Sequence, residues 1–417
     1  MNLSPLPMQA RCQPQSETRP HAPKPACRLA RICGQALLGG ALLLCAAVRP
    51  AEQEELDLTK YATGVKRIPI AVTGYSGEVA KALKFDLGIA GFEFVGEDRA
   101  QYLLKGGNNG QVEGRLSDAI NKAAKFGKAY SGGSLRSQAH ALADDVVEAV
   151  TGKPGIARTK LAFKAQRGEN SEIYIADYDG HNAVPVTQDN TVVAAPCWVP
   201  GQRKLYYTTY KFGNPDIIAH NLNTGERQLI ARYSGLNTSA AVSPDGRRVA
   251  MILSKGGSPD VYVADADGSN LRQLTRTRED TSSPCWSPDG RTLCFATRLA
   301  GRRVLAKVSA EGGPTQRLLT ENIANPSEPD WSPDGKLVAF TAQMGGFEIC
   351  IVPAQGGEAR PLVAGEDPSW APNSRTLVFA RRVGGGKRVL SLLDVLTKQT
   401  QDLELSLGAC SQPTWAR

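Results

Sequence analysis

Residue patterns that could support catalysis are few in this sequence, and each of them is incomplete. Gly74-Tyr75-Ser76-Gly77-Glu78 resembles the Gly-x-Ser-x-Gly turn that presents a nucleophilic serine, but Glu78 stands where the second glycine is required. Among the histidines, His21 lies near the amino terminus, and His140, His181 and His220 are isolated from one another in the sequence. A catalytic triad needs three side chains in a fixed hydrogen-bonded order. We therefore expect no hydrolytic triad and no enzyme.

Two acidic turns could offer oxygen ligands to a metal ion. Asp177-Tyr178-Asp179-Gly180 and Asp265-Ala266-Asp267-Gly268 place carboxylates at alternate positions, as calcium loops do, but neither continues into a full loop with a bidentate glutamate. An Asp-Gly pair also favours a tight hairpin turn, which is the interpretation we prefer. The sequence has no P-loop either. We expect no metal site and no cofactor.

The cysteines do not form a recognisable metal or disulfide framework. The sequence has nine of them, of which four lie within residues 1–50. No Cys-x-x-Cys pair and no Cys/His spacing suited to zinc occurs. The remaining five are an odd number, namely Cys197, Cys285, Cys294, Cys350 and Cys410.

Cys285 and Cys294 flank a Trp-Ser-Pro-Asp-Gly turn, and the type of turn decides whether they face each other. A two-residue loop would place them opposite each other. A type I turn with a glycine bulge instead pairs Ser287 with Arg291. Cys285 then pairs with Leu293, which turns Cys294 to the other face of the sheet. We predict two buried thiols, and a disulfide stays open as the alternative.

Composition and charge exclude several classes of protein. The chain has 417 residues, 41% of them hydrophobic and 22% charged, which favours two globular units rather than disorder. The formal net charge is +8, but residues 1–50 carry +5 and the remaining chain only +3. A surface that binds a nucleic-acid backbone needs a concentrated basic patch. A nucleic-acid partner is therefore not expected.

Residues 1–50 have the organisation of an export signal. A basic segment precedes an apolar run at residues 36–48, which is too short to span ~30 Å of hydrocarbon as a helix. Small residues offer cleavage sites near Ala47 or Ala51, and Glu52 then begins an acidic segment. We predict an exported protein without a membrane span, and a retained short anchor helix is the alternative.

One motif recurs six times after the first third of the chain. Its most complete copies read Pro-x-Trp-Ser-Pro-Asp-Gly, followed by an alternating apolar strand, a second strand and a Gly-rich turn. The spacings between copies are 44, 44, 45, 39 and 45 residues. Four short strands in about 44 residues are the period of a β-propeller blade. The aligned positions are Trp198, Val242, Trp286, Trp331, Trp370 and Trp415.

The ends of the repeat region are predicted to complete one blade together. Residues 158–197 supply three of its strands, and residues 409–417 supply the fourth, which removes the exposed edges of an open ring. The Ser-Pro-Asp-Gly segments favour the first hairpin of each blade, because proline presets φ and glycine accepts positive φ. The Trp before each turn is predicted to pack between neighbouring blades.

The segment before the repeats has a different pattern. Residues 66–72 form a predicted strand, and residues 78–89 carry apolar side chains on one helical stripe. Ser134 is the predicted N-cap of a helix that ends at Thr151, with Gly152 as its stop. The predicted fold is a small α/β N-terminal domain followed by an all-β, six-bladed propeller of WD40-like (PD40) repeats, closed by N- and C-terminal strands. The predicted boundaries are residues 1–50 for the leader, 61–152 for the α/β domain and 157–417 for the propeller.

The candidate binding site follows from the propeller geometry. If the Trp strand is the innermost one, the residues just before it line one mouth of the central channel. They are small, polar or acidic, and six such loops suit the capture of a peptide or a protein loop. Turn connectors chosen only for their local geometry are the alternative. The candidate residues are Asn237, Thr238, Ser239, Thr281, Ser282, Ser283, Asn325, Ser327, Glu328, Glu366, Asp367, Ser411 and Gln412.

From about residue 60 to residue 417 the sequence resembles the TolB family, the periplasmic propellers of the Tol-Pal system. The resemblance is most specific in the Ser-Pro-Asp-Gly blades and in the junction between Ser137 and Phe163, with its Ala-His-Ala-Leu-Ala-Asp and Thr-Gly-Lys-Pro-Gly segments. It implies a non-enzymatic, periplasmic protein whose propeller mouth binds a Pal-like peptidoglycan-associated lipoprotein. Carried over by position, the mouth contacts include Leu236, Ser239 and Ser282.

The resemblance also implies a TolA-like inner-membrane partner for a short N-terminal segment, although residues 51–60 show no clear match to it. The predicted roles are envelope integrity, cell division and a place in protein import, carried out by a monomer. The alternative from another class is a propeller hydrolase or lyase acting on an envelope polysaccharide or peptide. Its acid and base would be Glu328, Glu366 and Asp367, provided that two carboxylates lie ~5 to 10 Å apart around a substrate.

Overall fold

The structure, a computed structural model, describes residues 59–417. The predicted leader at residues 1–50 lies outside them, as does most of the segment expected to contact a TolA-like protein. None of the helices within residues 59–417 is long and apolar enough to span a membrane.

The first described elements form an α/β layer pair. The sheet has the order β2-β1-β3-β4-β5, in which β1 is parallel to both of its neighbours and the other pairs are antiparallel. The elements are α1 (Thr59–Thr63), β1 (Ile68–Thr73), α2 (Gly77–Ile89), β2 (Phe92–Phe94), β3 (Tyr102–Gly107), β4 (Val112–Asp118), β5 (Ala124–Tyr130) and α3 (Leu135–Thr151).

The two longer helices form for the reasons that the sequence indicates. On α2 the stripe of Val79, Leu83 and Leu87 is buried in the core beneath the sheet. At α3 the Ser134 hydroxyl accepts a hydrogen bond from the Ser137 amide at 3.1 Å. Gly152 ends this helix with a φ of 70°. Both predicted helices are thus confirmed, as is the strand predicted at residues 66–72, which corresponds to β1.

The rest of the chain forms six four-stranded antiparallel blades, as predicted. Blade 1 begins with β6 (Lys160–Arg167), β7 (Asn170–Asp177) and β8 (Val184–Pro185). Blade 2 has β9 (Val193–Trp198), β10 (Lys204–Thr209), β11 (Asp216–Asn221) and β12 (Arg227–Ala231). Blade 3 has β13 (Asn237–Val242), β14 (Arg248–Leu253), β15 (Asp260–Asp265) and β16 (Arg272–Gln273).

The remaining blades follow the same plan with small additions. Blade 4 has β17 (Ser282–Trp286), β18 (Thr292–Leu299), β19 (Arg302–Ser309) and β20 (Gln316–Leu318), followed by the short β21 (Thr320–Glu321). Blade 5 has β22 (Pro326–Trp331), β23 (Leu337–Gln343), β24 (Phe347–Pro353), a short β25 (Gly357–Glu358) that pairs with β21, and β26 (Arg360–Ala364). Blade 6 has β27 (Glu366–Trp370), β28 (Thr376–Arg382), β29 (Arg388–Asp394) and β30 (Thr400–Asp402).

The last strand, β31 (Cys410–Trp415), is the innermost strand of blade 1. It pairs antiparallel with β6, so the predicted closure of the ring by strands from both ends of the repeat region is confirmed. Two of the Trp side chains reach the neighbouring blade as predicted, whereas the Trp331 indole donates to the Gly335 carbonyl of its own turn at 3.2 Å. Trp286 Nε1 donates to the carbonyl of Ala241 at 2.8 Å, and Trp370 Nε1 donates to the carbonyl of Asp330 at 3.2 Å.

Strand direction defines two ends of the propeller. Each innermost strand starts at one end, here called the mouth, and runs to the other, here called the turn end, where five of the six continue into a Ser-Pro-Asp-Gly-like turn. In blade 1, β7 runs in the same direction as β31 because two antiparallel pairings separate them. The turn after β7, which contains Tyr178 and Asp179, therefore lies at the turn end. The N-terminal α/β part of the chain packs against this turn.

A buried polar cluster joins the α/β part to that turn. His140 of α3 lies between two carboxylates, with Nδ1 at 2.7 Å from Asp86 of α2 and Nε2 at 3.2 Å from Asp179. Arg136 Nε donates to Asp179 at 3.0 Å, and the Tyr178 hydroxyl donates to Asp86. His140 is thus isolated only in the sequence. The predicted domain boundaries at 61–152 and 157–417 stay predictions.

The predicted register of the hairpin in blade 4 is wrong. Cys285 pairs directly with Cys294, and both are free, buried cysteines. The reason is a longer turn, in which the Ser287 amide donates to the Thr292 carbonyl at 2.8 Å. The Thr292 amide donates to the Ser287 hydroxyl at 2.9 Å. This side-chain acceptor adds one residue to the turn and moves Cys294 to the same face as Cys285.

The observed register makes a chemical prediction. Oxidation of the folded protein with copper-phenanthroline should join Cys285 to Cys294, because directly paired antiparallel residues have Cα atoms about 4.5–5.5 Å apart, within the reach of a disulfide. Tryptic mapping after alkylation checks the linkage. In the control variant Cys294→Ala, Cys285 should be recovered as a free, alkylated thiol. Full alkylation of both cysteines in the oxidised wild type would contradict the register.

Candidate binding site in the propeller channel

Each innermost strand is interrupted by a β-bulge at the same position. In all six blades the pairing with the second strand shifts by one, so that two residues of the inner strand oppose one residue of its partner. The first bulge residue has a φ between 50° and 58° in every blade. These six residues, here called the bulge ring, are Ala195, Ser239, Ser283, Glu328, Asp367 and Gln412.

The sequence around each bulge explains why it forms. A proline follows the first bulge residue in five blades, and Ala240 takes its place in blade 3. Proline cannot donate a ladder hydrogen bond, so strand pairing is weakened there. Opposite each bulge stands one large apolar residue, and all six of these residues are fully buried: Phe163, Tyr207, Met251, Phe295, Phe340 and Phe379.

Half of the bulge ring is linked by hydrogen bonds that run from blade to blade. The Glu328 carboxylate accepts from the Asp367 amide at 3.1 Å. Asp367 in turn accepts from the Gln412 amide at 3.0 Å, and the Gln412 side-chain oxygen accepts from the Ala195 amide at 2.9 Å. Three consecutive bulge amides are therefore satisfied by the side chain of the preceding blade.

A chamber of about 520 Å³ lies along the axis from the bulge ring toward the turn end. On the turn-end side of the bulge ring, the chamber wall includes the residues directly before the aligned Trp and Val positions. Among them Asp330 accepts from the Trp370 amide at 2.7 Å and pairs with Arg417. The Arg417 Nε donates to the Trp370 carbonyl at 3.1 Å. The chamber wall is thus acidic on one side, where one arginine partly balances the carboxylates, and small and neutral around Ser239 and Ser283.

Asp367 keeps its proton up to a higher pH than an ordinary aspartate does. Burial and the neighbouring carboxylate of Glu328 raise its pKa to about 8, with a smaller contribution from Glu366. The Gln412 amide and Arg388 act in the opposite direction. Near neutral pH the neutral form of Asp367 therefore limits the negative charge on the acidic side of the chamber.

The structure brings five of the sequence-predicted residues together in one ring. Ser239, Ser283, Glu328, Asp367 and Gln412 each contribute one bulge position and line the chamber. They come from five different blades, so only the closed propeller places them side by side.

Another five predicted residues lie one position before the bulges, and three of them bond to other residues of the propeller. The Thr238 hydroxyl bonds to Thr208 at 3.1 Å, and the Ser327 hydroxyl donates to the carbonyl of Thr341 at 3.4 Å. Glu366 is buried and pairs with Arg388 and, at 3.4 Å, with Arg382. Ser282 is half-buried and Ser411 buried at the same position of their blades.

The last four predicted residues lie at the mouth, three of them in connectors and Asn237 at the first position of β13. Asn237 is fully buried, and its side chain accepts from the Tyr233 amide at 2.9 Å. Thr281 is also buried and bonds to Thr277 and Thr297 at 3.0 Å each. Hydrogen bonds within the propeller thus explain these two residues. Leu236 is half-buried, whereas Asn325 is exposed.

Several channel residues were missed by the sequence analysis. Ala195 occupies the bulge position of blade 2, and its location three residues before Trp198 is the signal that could have revealed it. Asp330 directly precedes Trp331 and could have been found in the same way. Arg417 has no signal in the repeat, because its role depends on contacts with two other blades.

The carboxylates proposed for the enzymatic alternative are close together but already engaged. Glu328 accepts from the Thr341 hydroxyl at 2.7 Å as well as from the Asp367 amide. Glu366 is paired with arginines, and Asp367 accepts from a backbone amide. Within residues 59–417 no group of three or more His, Cys, Asp or Glu side chains is arranged to hold a metal ion.

Comparisons with known proteins agree with this architecture. The family model of PD40, the TolB beta propeller domain, matches residues 147–417. The Tol-Pal system protein TolB of Alcanivorax borkumensis is 36% identical over 125 residues, which is 29% of each chain. That of Actinobacillus succinogenes is 33% identical over 139 residues, which is 31% of this chain and 33% of the relative. The matched segments therefore span about a third of these curated relatives or less.

Solved structures support the fold over a larger part of the chain. The crystal structure of TolB from Acinetobacter baumannii superposes with a TM-score of 0.77 at 22% identity, covering 85% of this chain and 97% of that chain. A chain in the crystal structure of a nidogen/laminin complex gives a TM-score of 0.52 at 16% identity, covering 62% of this chain and 98% of that chain. At these identities the likeness is one of fold alone.

The raised pKa of Asp367 makes a prediction about stability. In the folded state Asp367 keeps a proton that the unfolded chain, with an ordinary pKa of 3.8, has already lost. The free energy of unfolding of the wild type should therefore fall relative to that of Asp367→Asn as pH rises from about 4 to about 8, by at most ~1.4 kcal/mol per pH unit. Urea denaturation at several pH values measures the difference.

Asp289→Asn is the matched control, because the pKa of Asp289 is lowered by hydrogen bonds from Ser287 and the Arg291 amide. A lowered pKa has the opposite sign, so the stabilisation by Asp289 is present at neutral pH and is lost as pH falls. Parallel pH curves for the wild type and Asp367→Asn would show that Asp367 ionises normally in the folded protein.

Proposed function

The chain belongs to the TolB beta propeller family, and on this basis we propose that it is a component of a Tol-Pal-type envelope system. In this proposal the protein acts in the periplasm as a monomer. It binds a Pal-like, peptidoglycan-associated outer-membrane lipoprotein at the mouth of the propeller channel. The binding supports envelope integrity and cell division.

The position of the α/β part relative to the channel is the observation that carries this proposal. It packs on the turn after β7, at the turn end, through Asp86, His140 and Asp179. Among the described residues this leaves the six connectors of the mouth without a covering domain. Loops held on a rigid scaffold are well suited to recognise a folded partner. The mouth is therefore the surface that we assign to the lipoprotein.

The proposal includes a non-enzymatic role. The carboxylates available in the channel, Glu328, Glu366 and Asp367, each accept hydrogen bonds or ion pairs from the propeller itself. A general acid or base must instead be free to contact the proton of a substrate. These bonds favour a structural role for the three side chains over the hydrolase or lyase alternative.

A second partner is expected on the opposite side of the protein. The family resemblance assigns a TolA-like inner-membrane protein to a short segment that precedes the α/β part. Because the buried cluster at His140 couples the α/β part to the propeller, the α/β part can act as a regulator or as a second contact surface.

Binding of the lipoprotein domain should depend on the mouth and not on the turn end. Ser282→Arg places a long cation at the mouth, where Ser282 is half-buried at the start of β17. We expect the affinity for the soluble domain of the Pal-like lipoprotein from the same organism to fall at least about tenfold, or ~1.4 kcal/mol. Isothermal titration calorimetry with the exported protein measures it.

Gln202→Arg is the control, because Gln202 is exposed in the first turn of blade 2 at the turn end. This variant should bind as the wild type does, and thermal unfolding should show that both variants are folded. Equal binding by Ser282→Arg and the wild type would exclude the mouth as the docking surface. No binding by the wild type would refute the proposed function itself.

A further inference from the structure

The bulge ring is asymmetric in a way that points to a ligand. In three blades the backbone amide of the bulge residue donates to a side chain of the preceding blade. The accepting side chains are those of Glu328, Asp367 and Gln412. In the other three the preceding residue is Ala195, Ser239 or Ser283. Alanine has no polar side-chain atom, and serine is shorter than glutamine by two carbons. Among the described residues no side-chain hydrogen bond joins Ser239 or Ser283 to the next bulge amide.

All six bulge amides belong to the same backbone geometry. The φ angles of the bulge ring agree within 8°, from 50° to 58°, and each bulge lies at the same step of its strand pairing. The amides of Ser239, Ser283 and Glu328 are therefore oriented like those of Asp367 and Gln412, toward the side chain of the preceding blade at the channel. They offer three N–H donors along one half of the ring.

We propose that this half-ring of amides is a binding site for the side-chain amide of a glutamine or asparagine that a peptide segment inserts into the channel. The intrachain bonds define the chemistry, since oxygen acceptors lie at 2.9 Å, 3.0 Å and 3.1 Å from the equivalent amides. A ligand oxygen can take the same place beside Ser239 and Ser283. The proposal deepens the proposed function and rests on it, because the docked partner supplies the segment.

Charge selects a neutral amide over a carboxylate. The Glu328 side chain borders the half-ring and Asp330 lines the same chamber, so an inserted carboxylate would meet like charge. A neutral side-chain amide avoids this repulsion, and its NH₂ group has the polarity that the Glu328 carboxylate accepts. The surrounding prolines and tryptophans give the chamber apolar walls, which strengthens a hydrogen bond formed there.

The site can be tested without the partner protein. N-acetylglutamine methylamide, titrated at millimolar concentrations into the ¹⁵N-labelled exported protein, should shift the amide resonances of Ser239, Ser283 and Glu328. N-acetylglutamate methylamide at pH 7.5 should produce smaller shifts at equal concentration. Absence of shifts at these three amides in the wild type would overturn the proposal.

Substitutions that imitate the half of the ring whose amides are bonded to side chains provide the decisive comparison. Ser283→Gln should place an internal acceptor on the Glu328 amide, as Gln412 does on the Ala195 amide, and abolish the response of Glu328 to the probe. Gln412→Ser is the reverse variant and should make the Ala195 amide respond. Thermal unfolding verifies that both variants are folded. A wild-type response in Ser283→Gln would refute the site.

The partner experiment separates this inference from the proposed function. If the wild type binds the lipoprotein domain but the resonances of its half-ring amides do not shift with the probe, only the proposed site for an inserted side-chain amide is refuted. If the amides respond but the lipoprotein domain does not bind, the site exists and the identity of the partner is refuted. If both respond, Ser283→Gln should also weaken lipoprotein binding about tenfold.

Discussion

The structure depends on the closure of blade 1 by β31. This strand pairs with β6 and continues the ring, and the Trp415 indole donates to the Thr159 hydroxyl at 2.8 Å across the seam. Trp415 is buried in the same apolar core as the helices of the α/β part. An open ring would leave β6 as an unpaired inner edge. Closure fixes the six inner strands around one axis, and only then do the bulge residues form a ring.

The junction between the α/β part and the propeller is polar and buried, although removing polar and charged groups from water costs free energy. Burial alone would lower the pKa of His140, but its contacts with Asp179 and Asp86 raise it to about 10, so the imidazole is a cation at neutral pH. Its charge compensates carboxylates that lie in the protein interior. Removing one member of such a cluster leaves an uncompensated buried charge. Loss of one member of the cluster would therefore destabilise the junction between the α/β part and the propeller.

The sequence predicts the features that local chemistry determines. The six copies of the Trp or Val motif, five of them followed by a Ser-Pro-Asp-Gly-like turn, and their spacing yield the number of blades, because each turn depends on a few adjacent residues. The register at Cys285 and Cys294 was predicted wrongly, since it depends on the Ser287 hydroxyl replacing a backbone acceptor. Asn237 and Thr281 are polar like binding residues, but their side chains bond to Tyr233 in the connector and to Thr297 of β18. The role of Arg417 depends on contacts between blades that no local pattern records.

Backbone strain explains why the bulge ring can carry function. A residue other than glycine at a positive φ costs about 1–3 kcal/mol, and a following proline restricts it further. The buried aromatic or methionine residue opposite each bulge offsets this cost by packing, independently of which side chain occupies the bulge. The fold therefore tolerates Ala195, Ser239 and Glu328 at equivalent positions. Because the blade does not determine the side chain there, the ring residues are free to meet the requirements of whatever occupies the channel.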